Sequence, residues 1–436
     1  LVERHSGNVY LAAMTTTRAR RREVLAWCLY DFGSSAFNTL VLTFIFSLFF
    51  AQVIAPDYNT GTVWWTRAVN LSAVAVAFIT PVLGAIADSS GRKKAFLVAF
   101  AAQSILFTVL LFFAGTTNAM LALGLFVLAN VGFEAANVFY WAFLPDVSDD
   151  SNIGRVSGLG FFLGYLGGLL SLVIALQMIE KWLPKTDHIN VRATLLLVAG
   201  WFLVFALPMF LWVRQRTVAQ REPGNPLRIG FHRLYETLKH ARHYQEAGKL
   251  LLARMIYNDG LATIFAVAAI YLGAVFGMEM RQVLTMAIGL NVFAGVGAFA
   301  FGFVDDKIGG KKTILISIVL LIVGTIIGTR VTTIGGFWFA AALLGLMIGP
   351  NQAASRSLLS KLVPDDKQAE FFGLYSFSGK VSSLLGPLVY GSVVARTGDH
   401  KLAMTSIISF FVVGGIILLF VREREGMIAA GRHSGV

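Results

Sequence analysis

The stretch Gly84-Ala-Ile-Ala-Asp88-Ser-Ser-Gly91-Arg92-Lys93-Lys94 returns half a chain later as Gly302-Phe-Val-Asp305-Asp306-Lys-Ile-Gly309-Gly310-Lys311-Lys312. Gly84 matches Gly302, Asp88 matches Asp306, Gly91 matches Gly309 and Lys93-Lys94 match Lys311-Lys312, all at an offset of 218 residues in a chain of 436. Each copy follows a long apolar run. A repeat at half the length, set between hydrophobic segments, predicts two similar halves made of membrane helices.

Apolar content supports this reading. Hydrophobic residues make up 56% of the chain and charged ones 14%, against about half and a quarter in soluble domains. Twelve apolar runs reach the roughly 20 residues that a spanning helix needs. They lie near 24–54, 65–87, 94–115, 118–143, 155–180, 192–213, 250–276, 282–304, 313–330, 335–360, 370–395 and 402–421. The expected architecture is an all-α membrane protein. An N-terminal tail (1–23) precedes a six-helix bundle (24–213), a linker (214–249), a second six-helix bundle (250–421) and a C-terminal tail (422–436).

The net charge of +12 raises the possibility of a nucleic-acid partner, but the bases sit in short loops between apolar runs. With both termini inside, the inner segments hold 25 Lys and Arg and the outer ones 8. Positive-inside topology accounts for that asymmetry and predicts both ends and the linker in the cytoplasm. The expected partners are a lipid bilayer and a small-molecule substrate, without nucleic acid, and the chain is expected to act as a monomer.

No cleavable signal is expected, because the first apolar run is too long for one. The single cysteine, Cys28, allows no disulfide within the chain. All seven histidines fall in tails or loops, so neither a buried histidine metal site nor a cofactor is expected. Neither a GxxxxGK[ST] loop nor an HExxH or G-x-S-x-G run occurs, which argues against direct ATP drive and against an intramembrane enzyme.

Charge inside the spans points to function. Among the acids, Asp31, Glu134 and Asp259 fall well within spans, and among the bases Arg254, Arg356 and Lys380 do. A charge near mid-bilayer costs at least ~2.5–3.5 kcal/mol on insertion scales, so such residues face a cavity or a partner. Asp31, Ser34 and Asn38 share one face of span 1, and Asn130, Glu134, Asn137 and Trp141 one face of span 4. Asp259 and Thr263 lie one turn apart on span 7, Gln352 and Arg356 on span 10, and Ser376, Lys380 and Ser383 line span 11. Asp31 and Asp259 sit at similar depths, each beside a tyrosine and a glycine (Tyr30 and Gly33; Tyr257 and Gly260). That recurrence suggests a paired site near the pseudo-twofold axis.

Arg356 and Lys380 supply the opposite charge, so a zwitterion is the expected substrate, with Tyr30, Trp141, Tyr257 and Tyr375 as candidate cavity aromatics. Burial favours the neutral form of a carboxyl group, which makes membrane acids candidate proton carriers: Glu134 first, then Asp31 and Asp259. Competing readings are ion pairs that only hold helices together, snorkelling of Arg254 and Arg356, a carrier of cations or amphiphiles, and a non-transporting sensor or scaffold. Gly160, Gly164 and Gly168 form a small-residue ridge on span 5, read as helix packing.

Asp88 ends a helix, where a carboxylate is disfavoured by the dipole. A neighbouring helix N-terminus would satisfy it, and such a contact can latch one face of the protein. In the linker, Phe231, Leu234, Leu238 and Ala241 recur at helical spacing among bases. Both an amphipathic helix on the inner leaflet and a solvated tether fit that pattern.

Gly84-x3-Asp88-x2-Gly91-Arg92-Lys93 resembles the loop signature of major facilitator superfamily transporters. The resemblance implies two six-helix bundles around a central cavity, alternating access, and Asp88 docked on the start of span 11. Gly84, Asp88, Gly91, Arg92, Asp306 and Gly309 are then the gating residues. Gly310 stands where the first copy has Arg92, so the second latch is expected to be weaker or differently paired. Three further stretches narrow the branch: Trp27-Cys-Leu-Tyr30-Asp31-Phe32-Gly33-Ser-Ser35-Ala36-Phe37, Tyr257-Asn-Asp259-Gly260-Leu-Ala-Thr263-Ile264, and Ala369-Glu370-Phe371-Phe372-Gly373-Leu374-Tyr375 with Gly379-Lys380. Together they are similar to the vacuole-effluxer family, whose fungal members export amino acids during autophagy. The lack of long loop insertions implies a bacterial member in the inner membrane, exporting amino acids or similar solutes.

Overall fold

Asp57 opens the second crossing by accepting hydrogen bonds from the Asn59 and Thr60 amides, both at 3.0 Å, and Gly91 closes it in the left-handed region at φ 62°. Such caps satisfy the backbone groups a helix leaves unpaired at its ends. In the computed structural model the described residues are 20–115, 118–216, 225–240, 242–383 and 385–432. Among them, eleven helices are long and apolar enough to span a membrane. These are α1 Arg20–Ile54, α2 Tyr58–Ser90, α3 Lys93–Phe113, α4 Ala119–Ala142, α5 Ile153–Trp182, α6 Thr186–Trp212, α7 Gln245–Phe276, α8 Arg281–Ile308, α9 Gly310–Arg330, α10 Ile334–Leu362 and α12 His400–Leu419.

The eleventh crossing, read from sequence as one run over 370–395, is instead two helices, Gln368–Val381 and Leu385–Thr397, together α11. Pro387 lies in the first turn of the second piece, where its missing N–H costs little. The freed amides of Leu385 and Gly386 donate to the Asp259 carboxylate at 3.1 and 2.9 Å. A carboxylate from α7 therefore caps the restart of α11.

The two bundles meet along α2 with the first piece of α11, and along α5 with α8. Glycines permit both crossings. A Cβ on Gly84 would lie 2.2 Å from the Ala369 carbonyl oxygen, and one on Gly158 would lie 2.3 Å from that of Ala298. The second piece of α11 packs on α7 and α12. Inter-bundle contact is thus concentrated toward the side that carries the linker and the repeated loops.

On that side the repeated acids dock on opposite bundles. Asp88 is buried, and its Oδ2 accepts from the Glu370 amide at 2.9 Å. Asp306 Oδ1 accepts from the Gly154 amide at 2.8 Å, and its Oδ2 from Arg155 Nε at 2.5 Å. Of the two expectations for the second latch, weaker or differently paired, the second describes it: Asp306 has a cationic side chain as well as backbone donors. Gly309, at φ 90°, ends α8, and Glu423 from the C-terminal segment accepts from the Gly310 and Lys311 amides, both at 3.2 Å. Lys93 pairs with Asp146 at 3.1 Å, both buried, whereas Arg92 is exposed.

The linker helix Pro226–Lys239 lies against α2, with Gly230 over Ile86, while Phe231 and Tyr235 are exposed. One face is therefore packed on protein, which goes beyond either linker reading. Ala241 lies outside the described residues.

Candidate functional site

α1 is not uniform. Phe37–Phe44 winds with five-residue hydrogen bonds, including Ile45 N to the Leu40 oxygen at 3.0 Å. Such wide turns re-aim side chains and recur at functional sites. Here the wide turn brings Asn38, Thr39 and Phe44 onto the wall of a cavity of about 290 Å³ between the bundles. The same wall carries Asp31, Ser34 and Ser35, and α4 contributes Phe133, Glu134, Asn137 and Trp141. Phe161, Gly164, Tyr165, Leu169 and Leu172 of α5, Ile288 and Asn291 of α8, and Arg356 of α10 complete the lining. Since α1 starts on the linker side, Asp31 sits nearer the floor and Phe44 nearer the rim. The cavity lies on the far side of the Asp88 and Asp306 contacts.

The floor is a charge cluster. Asp31 Oδ2 accepts from Tyr140 Oη at 3.2 Å and lies 3.7 Å from Arg356 Nη1. Arg356 is fully buried, and it donates from Nε to Ser157 Oγ at 3.0 Å and from Nη2 to the Ser157 oxygen at 2.8 Å. Its guanidinium also lies over Phe161 and Trp27 at 4.3 and 4.8 Å. The Nη1 atom has no hydrogen-bond acceptor among the described residues. Beside this cluster, Glu134 Oε1 receives Lys380 Nζ at 2.5 Å. Both acids come from the first bundle and both bases from the second.

Small residues on α5 make room for these groups. A Cβ on Gly164 would stand 3.1 Å from Asp31 Oδ1, and one on Gly160 would stand 3.2 Å from Arg356 Nη2. The ridge read as packing therefore also shapes the site.

Other expected residues are placed elsewhere. Asp259 does not line the cavity, because two helix-start amides hold its carboxylate. Tyr30 is buried in a stack with Tyr140 at 4.7 Å, and Tyr257 is buried with its hydroxyl 2.7 Å from Ser355 Oγ. Asn130 donates to Ser72 Oγ at 3.0 Å and joins α4 to α2. Gln352 donates to Asn258 Oδ1 at 2.9 Å, and Asn258 in turn donates to Ser382 Oγ at 2.6 Å. Arg254 is buried rather than snorkelling, with Tyr375 beneath it at 3.5 Å and the Tyr375 oxygen accepting at 3.2 Å.

Sequence reasoning missed Tyr140, Ser157, Phe161, Tyr165 and Asn291. None of them is charged, and Tyr140 falls off the polar stripe of span 4. A hydroxyl or aromatic ring earns its place here only through helices far away in sequence.

Residues 59–431 match the family described as vacuole effluxer Atg22 like. The chain belongs to this family. The Bacillus subtilis MFS-type transporter YxiO, described as uncharacterized, is 32% identical over 405 residues, covering 91% of this chain and 94% of that protein. Autophagy-related protein 22 of Yarrowia lipolytica is 25% identical over 337 residues, covering 68% of this chain and 55% of the fungal one. Among solved structures, the human organic anion transporter MFSD10 (TETRAN) superposes with a TM-score of 0.72 at 14% identity, over 92% of this chain and 99% of that one. FucP in the outward conformation gives 0.72 at 14% identity, over 92% and 98%. These likenesses establish the fold as that of the major facilitator transporters. This vacuole-effluxer-like chain is a multi-pass membrane protein and a transporter of that type.

Proposed function

We propose that this vacuole-effluxer-like protein exports amino acids or similarly small zwitterions across the bacterial plasma membrane by proton-coupled alternating access. The observation that carries the reading is the charge at the floor of the cavity. There Asp31 and Glu134 of one bundle line the wall with Arg356 of the other, and Lys380, which is not itself on the lining, pairs with Glu134. A solute ammonium group finds Asp31 and the amide oxygens of Asn38, Asn137 and Asn291 around it. A solute carboxylate is drawn by Lys380, whose side chain is 28% exposed, and by the charge of the buried Arg356 guanidinium beside Asp31. The volume of about 290 Å³ is at the lower limit for ligand pockets, which suits a small solute.

In this reading the linker side is cytoplasmic, as the concentration of Lys and Arg there supports, and the present state faces outward. Asp88 and Asp306 hold the cytoplasmic face shut. From this state the solute leaves outward as a proton from outside takes its place on Glu134. The neutralised Glu134 releases Lys380, and the loss of inter-bundle pairing lets the cytoplasmic contacts part. The proton is given up inside as the next solute binds. The family's description as effluxers supports the export direction. A cation carrier is the second reading, favoured by one observation: both Asp31 and Glu134 line the cavity, whereas Lys380 does not and Arg356 is only 1% exposed.

Counterflow of labelled amino acids in proteoliposomes tests the proposal, with and without a pH gradient. Exchange that is saturable and driven uphill by protons supports it. Exchange of polyamines or other organic cations, with no amino acid moving above protein-free vesicles, overturns it in favour of the second reading.

A further inference from the structure

A second concavity, of about 1190 Å³, lies on the linker side between the start of α1, the end of α6 and the loop before α5. Five arginines line it: Arg20, Arg21 and Arg22 from α1, and Arg214 and Arg216 beyond α6. Two acids meet part of this charge, for Arg20 pairs with Asp149 at 3.1 Å and Arg216 pairs with Glu23. Arg21 and Arg214 have no acidic partner among the described residues. Arg22 Cζ lies 3.8 Å from the centre of the Trp212 ring, a cation–π contact that holds the guanidinium over the indole.

The position decides what such a cluster meets. Trp212 ends a spanning helix, the depth at which tryptophans sit among headgroups. Leu211, also on the wall, is 70% exposed and continues the crevice onto the lipid-facing side of α6. An anion with an attached acyl chain satisfies both parts. A free anion satisfies only the first.

We infer that this crevice binds the phosphate headgroup of an anionic lipid from the leaflet on the linker side. The planar forks of Arg22 and Arg214 suit phosphate oxygens. The site is apart from the transport cavity, and its occupancy would tie α1, which carries Asp31, to α6.

The test is thermal unfolding of the purified full chain in detergent with added phosphatidylglycerol, phosphatidylcholine or inorganic phosphate. The variants are the triple substitution Arg21→Gln, Arg22→Gln and Arg214→Gln, the same three positions changed to Lys, and a control with Arg228→Gln, Lys312→Gln and Arg424→Gln. The control positions are exposed bases on the same side. Phosphatidylglycerol is expected to raise the melting temperature of the wild type and control. The lysine variant should retain most of that shift, which also shows that substitution there is compatible with folding. The glutamine triple should lose it, with affinity roughly fivefold weaker per base removed. An equal phosphatidylglycerol shift in the glutamine triple overturns the site. An equal shift from inorganic phosphate alone overturns the lipid as its occupant.

Discussion

Lys380 Nζ of α11 stands 2.5 Å from Glu134 Oε1 of α4, an ion pair that joins the two bundles beside the cavity. Its side chains are 28% and 14% exposed, so removing one partner should cost between the ~0–1 kcal/mol of surface pairs and the ~3–5 kcal/mol of buried ones. Glu134→Gln keeps the shape and removes the proton site. The expected outcome is loss of proton-driven accumulation with counterflow exchange preserved. Measured in proteoliposomes, an unchanged pH dependence removes Glu134 from that role.

Asp88 and Asp306 each hold a helix start on the opposite bundle. Asp88→Asn weakens a hydrogen bond to a charged acceptor, worth about 1.5–3 kcal/mol, which corresponds to roughly a ten- to hundredfold change in the ratio of two states. Spin-label distances across the linker side should lengthen in Asp88→Asn and lengthen further when Asp306→Asn is added. Distances that match the wild type in the double variant would show that these acids do not latch this face.

A Cβ on Gly164 would crowd Ser35 Oγ at 3.0 Å and Asp31 Oδ1 at 3.1 Å, whereas a Cβ on Gly200 of α6 would meet nothing within 4 Å. Gly164→Ala should displace the Asp31 carboxylate and raise KM for the transported solute, with an overpacking cost of about 1–3 kcal/mol. Gly200→Ala should leave KM unchanged and should not destabilise the protein. Equal transport kinetics in the two variants would separate Asp31 from solute binding.

Arg432 reaches both halves at once. It pairs with Asp150, in the loop before α5, at 2.5 Å and with Asp365, in the loop before α11, at 2.8 Å. Arg432→Gln should favour opening of the linker side, by less than the loss of Asp88 because Asp365 is 59% exposed and exposed pairs are screened. The same spin-label distances read this, and the difference from wild type should shrink as salt rises.

Much of the outline was legible from the chain alone, for reasons of solvent. Apolar runs of spanning length, bases confined to loops and the half-length repeat are one-dimensional signals, because lipid acts on each segment separately. They determined an all-helical membrane protein in two related halves and singled out Asp31, Glu134, Arg356 and Lys380 by the cost of charge in hydrocarbon. Pairing was left to tertiary structure. Glu134 and Lys380 are 246 positions apart, and no periodicity says which base meets which acid. Asp259 resembles Asp31 in its local sequence, yet it caps the restart of α11 because the break after Val381 exposes two amides beside it. Tyr140, Ser157 and Asn291 matter only through what the folded bundles bring to them. A charge declares its need for a partner in the sequence; the identity of that partner exists only once the helices are packed.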